Sequence, residues 1–388
     1  MKLMWEYDLP TDESSEDYEY ESPIFVKDGQ VYFVCRNREL QVNQLHIIDI
    51  HSGLGRIVDF PSCYISVIPS QFFFIDLNDR ILLYVGRFLL FDGNTVSLFP
   101  PLDRYRKIDS YLHHEKRLFI ANGLFCCLNL DTLSIEWEIE IYNSKRYSHG
   151  QLLVFENTIT CFGRDSLLFV DIESGTIMDS LRLPRIDKLY YPIRLDAEHL
   201  ILGYTNWSNA GILKYNTHTK QIVWRHKRKF EGPQLDCKLY QHDELVYWVK
   251  DDIELICIHA ETGEEMFSVR TKPWLYTDLD FIGECILFGT AGANGYLNCL
   301  DAKSGEEIWS VFLKNGCEFF DYYQSSVIVG DFDKSIKQID WDNGNVLQQL
   351  SVDGEVVGRI CVHQDCIYTV IWGNEKKAIR LIRVRVEE

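Results

Sequence analysis

Residues 300–309 read Leu300-Asp301-Ala302-Lys303-Ser304-Gly305-Glu306-Glu307-Ile308-Trp309, and the fold class can be inferred from this pattern. An apolar run leads into an aspartate, a glycine follows four residues later, and a tryptophan follows four residues after the glycine. Aspartate side chains cap tight turns by accepting backbone hydrogen bonds, and glycine supplies the positive φ that closes such a turn. The stretch therefore predicts a hairpin between two antiparallel strands, in which Asp301 has a structural rather than a catalytic role.

The same pattern recurs along the whole chain, although some copies lose the glycine and one copy is shortened. The anchor residues of these copies are Asp49, Asp92, Asn129, Asp171, Asn216, His259, Asp301 and Asp340. Successive anchors lie 37 to 45 residues apart. A period near forty, built from short strands rich in β-branched and aromatic residues, is typical of a β-propeller with one four-stranded blade per repeat. We expect residues 61–100, which hold the shortened copy, to form the least regular blade.

Within one repeat, the turn pattern is expected to join the third strand of a blade to the fourth. For residues 273–313 the predicted strands are Leu275–Phe281, Cys285–Thr290, Tyr296–Asp301 and Ile308–Leu313. Apolar residues and the bounding turn residues place each of these strands.

The two ends of the chain carry a signal for ring closure. Residues 1–9 contain Trp5-Glu6-Tyr7-Asp8-Leu9, which resembles the fourth strand of a blade, and residues 359–386 supply three strands without a fourth. Pairing the first strand of the chain with the last blade would remove a free sheet edge. The prediction is an all-β fold: a single closed β-propeller over residues 1–388, with eight or nine four-stranded antiparallel blades.

The charge of the chain narrows the classes of partner that it can bind, and its cysteines indicate the compartment in which it works. The chain has 58 acidic and 39 basic residues, a net charge of −19, which disfavours binding to nucleic acid or to an anionic membrane surface. Residues 10–22, which hold a dense acidic run, are expected to form a solvated loop.

The twelve cysteines lie mostly within apolar runs, as expected of free thiols in a reducing compartment. With no apolar leader or membrane-spanning run in the sequence, we expect a cytoplasmic protein.

The repeat resembles that of the quinoprotein-dehydrogenase-like propellers, whose blades carry a PQQ-like motif, Ala-x-Asp-x-x-Thr-Gly-x-x-x-Trp. Asp301 to Trp309 matches the motif closely, and weaker copies extend the resemblance over nearly the whole chain. The resemblance implies that the motif tryptophans stack between neighbouring blades, with the glycine leaving room for them. Here that role would fall to Trp5, Trp137, Trp224 and Trp309. The equivalent positions that lack tryptophan are Ile57, Asp179, Phe267 and Gln348.

The family includes quinone- and calcium-dependent alcohol dehydrogenases as well as non-catalytic scaffolds, so the resemblance specifies architecture rather than activity. Cys126 and Cys127 are similar to the vicinal disulfide that covers the quinone in the dehydrogenases. Both cysteines lie within one predicted strand, however, where neighbouring side chains point to opposite faces. We therefore expect two separate core thiols, and no cofactor.

The candidate binding residues lie in the loops between second and third strands and in the connections between blades, which share one face of a propeller. Rigid strands hold such loops in place, and aromatic side chains are enriched in binding hot spots. The predicted residues are Arg146, Tyr190, Tyr191, Asn206, Trp207, Trp274, Tyr276 and Asn294.

These observations favour a non-catalytic scaffold that binds a protein or peptide partner through its loop face. No catalytic or metal-binding residues are nominated, because no nucleophile elbow, phosphate loop or paired-histidine motif is present. One alternative is an enzyme or small-ligand sensor with its site in the axial funnel. Another is an immunity or inhibitor protein whose acidic surface matches a basic toxin.

Overall fold

The structure is a computed structural model that describes residues 1–9, 23–37, 42–61, 72–105, 108–141, 152–162, 166–183, 186, 188–206, 209–229, 237–271, 274–292, 294–314, 316–317, 319–331, 333–357, 359–373 and 379–387. The predicted acidic loop, residues 10–22, lies outside them. The described residues form two compact units. The first contains Met1–Asp103, Lys272–Leu300 and Glu307–Glu388, and the second contains Arg104–Thr271 and Asp301–Glu306.

The strands are numbered in chain order, and β1 (Lys2–Leu9) belongs to the last blade. Blade 1 contains β2 (Phe25–Lys27), β3 (Gln30–Asn37), β4 (Val42–Asp49) and β5 (Gly55–Pro61). Blade 2 contains β6 (Phe73–Asp76), β7 (Ile81–Tyr84), β8 (Phe88–Phe91) and β9 (Val96–Leu98), followed by a 3₁₀ turn at Pro100–Leu102. Blade 3 contains β10 (Ser110–His114), β11 (Arg117–Ala121), β12 (Leu124–Asn129) and β13 (Ser134–Glu140).

Blade 4 contains β14 (Leu153–Phe155), β15 (Thr158–Phe162), β16 (Leu167–Asp171) and β17 (Ile177–Leu181). Blade 5 contains β18 (Lys188–Arg194), β19 (His199–Asn206), β20 (Asn209–Asn216) and β21 (Gln221–Lys229). Blade 6 contains β22 (Cys237–His242), β23 (Leu245–Lys250), β24 (Glu254–His259) and β25 (Glu265–Arg270).

Blade 7 contains β26 (Trp274–Leu275), β27 (Asp280–Ile282), β28 (Cys285–Ala291), β29 (Gly295–Asp301) and β30 (Glu307–Leu313). Blade 8 contains β31 (Phe320–Tyr323), β32 (Ser326–Asp331), β33 (Ser335–Asp340) and β34 (Val346–Ser351). Blade 9 contains β35 (Glu355–Val356), β36 (Cys361–His363), β37 (Cys366–Trp372) and β38 (Ile379–Arg385), together with β1.

The fold is a nine-bladed propeller of four-stranded antiparallel blades, so the count that the repeats left at eight or nine is nine. Within each blade the strands follow one another as an antiparallel meander. Blade 2, built on the shortened Asp92 copy, has strands of only three or four residues and is the least regular, as predicted.

Two first strands differ from the prediction because they are interrupted. In blade 7 the predicted strand Leu275–Phe281 is divided into β26 and β27. Between them the hydroxyl of Thr277, instead of a backbone carbonyl, accepts a 2.8 Å hydrogen bond from the Gly289 N–H. In blade 9 the first strand is likewise divided into two short strands, β35 and β36, and each of them is hydrogen-bonded to β37. A side chain that satisfies a backbone donor can break a ladder locally, and the sequence pattern does not reveal this.

The predicted closure of blade 9 by the amino-terminal strand is confirmed. Strand β1 pairs antiparallel with β38, from Lys2 opposite Arg385 to Leu9 opposite Ile379. Arg380 of β38 also forms an ion pair with Glu6 of β1, at 2.6 Å. The outer edge of β38 is thereby covered by a strand from the other end of the chain.

The anchor turns have the predicted geometry. In blade 7, a carboxylate oxygen of Asp301 accepts hydrogen bonds from the N–H groups of Lys303 (3.0 Å) and Ser304 (2.7 Å). The N–H of Gly305, at φ +71°, donates to the Asp301 carbonyl at 2.9 Å. Asp301 is fully engaged in the turn, which explains why the repeat requires it.

The stacking role that the resemblance implies for the tryptophans is also confirmed. Each indole N–H donates to a carbonyl oxygen of the neighbouring blade, that of the residue directly after the anchor of that blade. The pairs are Trp5 with Ile50 (3.0 Å), Trp137 with Ile172 (2.7 Å), Trp224 with Ala260 (3.0 Å) and Trp309 with Trp341 (2.8 Å). Each ring lies directly on the glycine four residues after that anchor: Gly53, Gly175, Gly263 and Gly344. We call this arrangement an indole dock.

Candidate binding surface

The structure places the predicted binding residues in three groups. Trp207 and Arg146 lie outside the described residues, so their part in a binding surface stays a prediction. Tyr190, Tyr191 and Asn206 belong to blade 5, in the second compact unit. The remaining three, Trp274, Tyr276 and Asn294, belong to blade 7, in the first unit.

The blade 5 residues are parts of strands rather than of a connection between blades. Tyr190 is buried in β18, where its hydroxyl lies 3.2 Å from the hydroxyl of Thr205. Tyr191 lies at a β-bulge, with φ +41°. The side-chain oxygen of Asn206 accepts a 3.0 Å hydrogen bond from the Asn209 N–H and so shapes the β19–β20 turn. These contacts give all three residues a local structural role, and a binding role for them stays a prediction.

The blade 7 residues include two exposed aromatic rings on an ordered backbone. Trp274 is 67% exposed and Tyr276 is 54% exposed, whereas Leu275 between them is 4% exposed. Trp274 pairs with Ala291 of β28, and the Tyr276 N–H donates to the Gly289 carbonyl at 2.9 Å. The alternation places both rings on one side, toward solvent, while the intervening leucine anchors the segment in the core.

Close backbone packing holds the same end of blade 7. Ala291 forms a β-bridge with Gly316, and the Cys317 N–H donates to the Thr290 carbonyl at 3.0 Å. A Cβ atom on Gly295 would collide with the Cα of Gly316, so only glycine fits there. Asn294 is exposed at this turn. The exposed groups therefore project from a rigid base, which reduces the entropy lost when a partner binds.

A third exposed ring lies at this end of the blade, on β30. Phe312 is 51% exposed and meets Tyr296 edge to face, with ring centroids 5.5 Å apart. The sequence reasoning missed Phe312 because it lies on an outer strand and not in a loop. We refer to Trp274, Tyr276, Asn294 and Phe312 together as the blade 7 aromatic end.

The adjacent cysteines are separate, as their strand position predicted. Cys126 pairs with Glu138 and Cys127 with Trp137 across β12 and β13. The thiol of Cys127 contacts the Glu136 carboxylate at 3.5 Å, and both cysteines are free and buried. Burial raises the pKa of the Cys126 thiol to about 12, which keeps it protonated at neutral pH.

A buried cysteine and histidine pair in blade 1 was not predicted. The Sγ of Cys35 lies 3.0 Å from Nε2 of His46, and Nδ1 of His46 lies 3.3 Å from the Tyr7 hydroxyl. Burial lowers the pKa of His46 to about 4 and raises that of the Cys35 thiol. A neutral imidazole beside a protonated thiol is a hydrogen-bonded core group, whereas a cysteine nucleophile needs its thiolate.

Acidic, histidine and cysteine side chains do not gather elsewhere into a metal site within the described ranges: no group of three or more of them is placed to hold an ion. No helix among the described residues is long and apolar enough to cross a membrane.

Sequence reasoning also missed a cavity between blades 4 and 5, within the second unit. Its signal was present in the repeats, because Asp179 stands in place of a motif tryptophan and the next repeat lacks its glycine. The two departures meet at one place because the turn of one blade lies against the outer strand of the preceding blade.

The β-strand repeats and the indole docks define this chain as a β-propeller. The sequence model of the family described as outer membrane protein assembly factor BamB matches residues 208–370. A search of curated proteins found no match.

Solved structures with similar folds include BamB, a designed protein and a dehydrogenase. BamB from Moraxella catarrhalis is 14% identical with a TM-score of 0.53, over 80% of this chain and 96% of its own. The computationally designed Ika8 protein is 12% identical with a TM-score of 0.53, over 97% and 99%. A europium-containing methanol dehydrogenase is 10% identical with a TM-score of 0.50, over 96% of this chain and 85% of its own. The family match thus covers less than half of the chain, and the solved structures, at 10–14% identity, show that the chain shares their β-propeller fold.

Proposed function

We propose that this chain is a non-catalytic scaffold that binds a protein or peptide partner through the blade 7 aromatic end. The observation that carries the proposal is the exposure of Trp274, at 67%, on a backbone fixed by pairing with β28. It has the most exposed side chain of the aromatic residues that the structure describes. An exposed indole costs hydration free energy that a partner's surface would recover, and tryptophan and tyrosine dominate binding hot spots.

The family match supports a protein as the partner. The matched residues, 208–370, include the whole of blade 7, and the family is named for an assembly factor, a role that consists of binding other proteins. The same fold also occurs in a methanol dehydrogenase, so the fold alone does not decide between the two functions.

The charge of the chain indicates what kind of partner would bind fastest. A net charge of −19 attracts basic surfaces and accelerates their approach at low ionic strength. A neutral or basic protein therefore suits this scaffold better than an acidic one, and a basic toxin neutralised by an immunity protein is a special case of that pairing.

We further propose a reducing compartment, the cytoplasm, as the site of action. Ten of the cysteines are free thiols within the described residues, and eight of these are buried. Fractionation of the host cells, with detection of the chain in each fraction, tests the location. Recovery of the chain outside the cytoplasm would contradict it.

The binding proposal is tested by native mass spectrometry of the chain purified gently from its host cells. The test variant is Trp274→Ala with Tyr276→Ala. The matched control, Leu54→Ala with Leu347→Ala, removes two apolar side chains of comparable exposure, 77% and 51%, from other blades. We expect one protein at fixed stoichiometry on the wild type and the control, and its loss from the test variant. A partner retained by the test variant, or a small molecule as the sole companion, would overturn the proposal.

A further inference from the structure

A cavity of about 240 Å³ lies between blade 4 and blade 5, at the end of the blades that carries the anchor turns. Its walls are mainly apolar, and the side chains that matter here are Phe155, Phe169, Met178, Leu181 and Tyr215. The outer wall is open, because Met178 on β17 is 63% exposed. Ligand pockets for drug-sized molecules start at about 300 Å³, so this smaller cavity suits one aromatic side chain.

The cavity exists because an indole dock is missing there. Asp179 occupies the place of the docking tryptophan in blade 4, eight residues after the anchor Asp171. Lys220 occupies the place of the glycine in blade 5, four residues after the anchor Asn216, and keeps a positive φ of 57°. The two side chains form an ion pair at 2.8 Å. An aspartate is far smaller than an indole, so the space between the blades is not filled.

The missing dock also leaves a backbone acceptor unused. In the four indole docks, the carbonyl after the anchor accepts the indole N–H. Where Phe267 replaces tryptophan, the equivalent carbonyl, that of Ala302, accepts a 2.8 Å hydrogen bond from the Tyr247 hydroxyl instead. The equivalent residue in blade 5 is Thr217, which lines the cavity. Its N–H donates to Glu198, but no donor among the described residues reaches its carbonyl oxygen.

We propose that this cavity binds a tryptophan side chain presented by a partner protein. The ring would lie against Phe169 and Met178, and the indole N–H would donate to the Thr217 carbonyl. The inference rests on the proposed function, since it takes the partner to be a protein. It adds a second binding site on this chain, which is separate from the blade 7 aromatic end. The occupant is inferred from four other places in the same chain where this carbonyl position takes an indole.

The ring cannot repeat the position of the internal docks, because Lys220 has a Cβ. At Gly175, Gly263 and Gly344, an added Cβ would lie only 2.6–2.9 Å from the docked ring. The bound ring must therefore lie farther from the turn, toward the exposed Met178. The two cations at the mouth are already paired with carboxylates, Lys220 with Asp179 at 2.8 Å and Arg194 with Glu156 at 3.9 Å, so neither is free to receive a ligand's carboxylate, and an anion would lose hydration without gaining a partner. A tryptophan within a peptide, which carries no carboxylate of its own, suits the site better than a free indole acid.

The probes are three small molecules added to the full chain, with affinities measured by isothermal titration calorimetry. N-acetyl-tryptophan amide represents the peptide side chain, its 1-methylindole analogue lacks the N–H, and indole-3-acetate represents a free indole acid. We expect the methylated analogue to bind about fivefold more weakly than the amide, the effect of one net hydrogen bond. Indole-3-acetate should bind more weakly still. Tighter binding of indole-3-acetate, or equal binding of the methylated analogue, would overturn the proposal.

A repair variant locates the binding. Asp179→Trp with Lys220→Gly rebuilds an internal dock, fills the cavity and should weaken binding of the amide at least tenfold. The matched control, Met266→Trp, adds a tryptophan to an exposed outer strand of blade 6 and should bind as the wild type does. Thermal unfolding checks the fold of the repaired chain, which should unfold at a higher temperature than the wild type. If a repaired chain of that stability still binds the amide as tightly as the wild type does, this site is refuted. Variants of Trp274 and Tyr276 leave the cavity intact, so the two proposals fail separately.

Discussion

The indole of Trp137 lies against Gly175 so closely that a Cβ atom on the glycine would be 2.7 Å from the ring. The glycine therefore serves two purposes at once, because it also has φ +69°, a conformation that other residues adopt at a cost. The same pairing recurs where a tryptophan of one blade meets a turn glycine of its neighbour: Trp5 with Gly53, Trp224 with Gly263 and Trp309 with Gly344. Packing between those neighbouring blades thus depends on a residue that makes no side-chain contact of its own.

The variant Gly175→Ala separates these two purposes when it is compared with Gly123→Ala. Gly123 also has a positive φ, +90°, but a Cβ there would meet nothing within 4 Å. We expect Gly123→Ala to lower the free energy of unfolding by about 1 kcal/mol, the cost of φ alone. Gly175→Ala adds the displaced indole and should cost about 2–4 kcal/mol. Urea denaturation of both variants measures this, and equal losses would contradict the docking role.

The Tyr247 hydroxyl replaces an indole N–H at the Ala302 carbonyl, and this exchange can be tested by a double-mutant cycle. Tyr247→Phe leaves a buried acceptor without a donor and should cost about 1–3 kcal/mol of unfolding free energy. In a Phe267→Trp background, the new indole can donate to the same carbonyl. The cost of Tyr247→Phe should then fall below about 1 kcal/mol. A cost that is the same in both backgrounds would show that the two donors do not share an acceptor.

Acid should destabilise the protein through His46, whose side chain is fully buried. Burial lowers the pKa of His46 in the folded chain from 6.5 to about 4, and Asp59 opposes this shift only partly. Below pH 6.5 the unfolded chain therefore binds a proton that the folded chain does not. The folded state has its full stability above that pH and loses stability progressively as the pH falls toward 4.

From pH 7.5 to pH 5.0, this single group should remove about 2 kcal/mol of unfolding free energy. The variant His46→Gln keeps a hydrogen-bonding side chain but does not titrate. Its loss of stability over the same pH range should be smaller than that of the wild type by about that amount, measured by urea denaturation at both pH values. Tyr7 and Cys35, which contact the imidazole, stay protonated throughout the range, because the pKa of each is raised in the folded chain. Identical pH dependence in the two proteins would refute a neutral His46.

The architecture could be predicted from the sequence because the repeat encodes it locally. Each anchor, such as Asp301, forms its turn with residues two to four positions away, so one hairpin is specified by one short stretch. The pairing of β1 with β38 was also predictable, because the amino-terminal end supplied one strand with no blade of its own and the carboxy-terminal end supplied a blade with only three strands. The interruption between β26 and β27 was not, because it depends on the Thr277 hydroxyl meeting a residue twelve positions away.

The sites were harder to predict for the same reason. Exposure of Trp274 follows from its loop-like surroundings, but Tyr190 is buried in a strand, where its hydroxyl meets that of Thr205, fifteen residues away, at 3.2 Å. The cavity between blades 4 and 5 required reading position 179 together with position 220, forty-one residues apart. A comparison of each repeat with the next one, rather than with the consensus, would have found it.

The dock of the amino-terminal strand provides the test of how blade 9 is closed by β1. Trp5 donates its indole N–H to Ile50 at 3.0 Å, packs on Gly53 and lies near the ring of Tyr368, with centroids 6.2 Å apart. The preceding Met4 is 42% exposed, at a bulge in the ladder. Trp5→Ala should therefore cost about 2–4 kcal/mol of unfolding free energy, whereas Met4→Ala should change it by less than about 0.5 kcal/mol. Loss of the dock should also loosen β1 and uncover the edge of β38, which size-exclusion chromatography would detect as self-association. A Trp5→Ala protein as stable and as monomeric as Met4→Ala would mean that β1 stays paired with β38 without the indole.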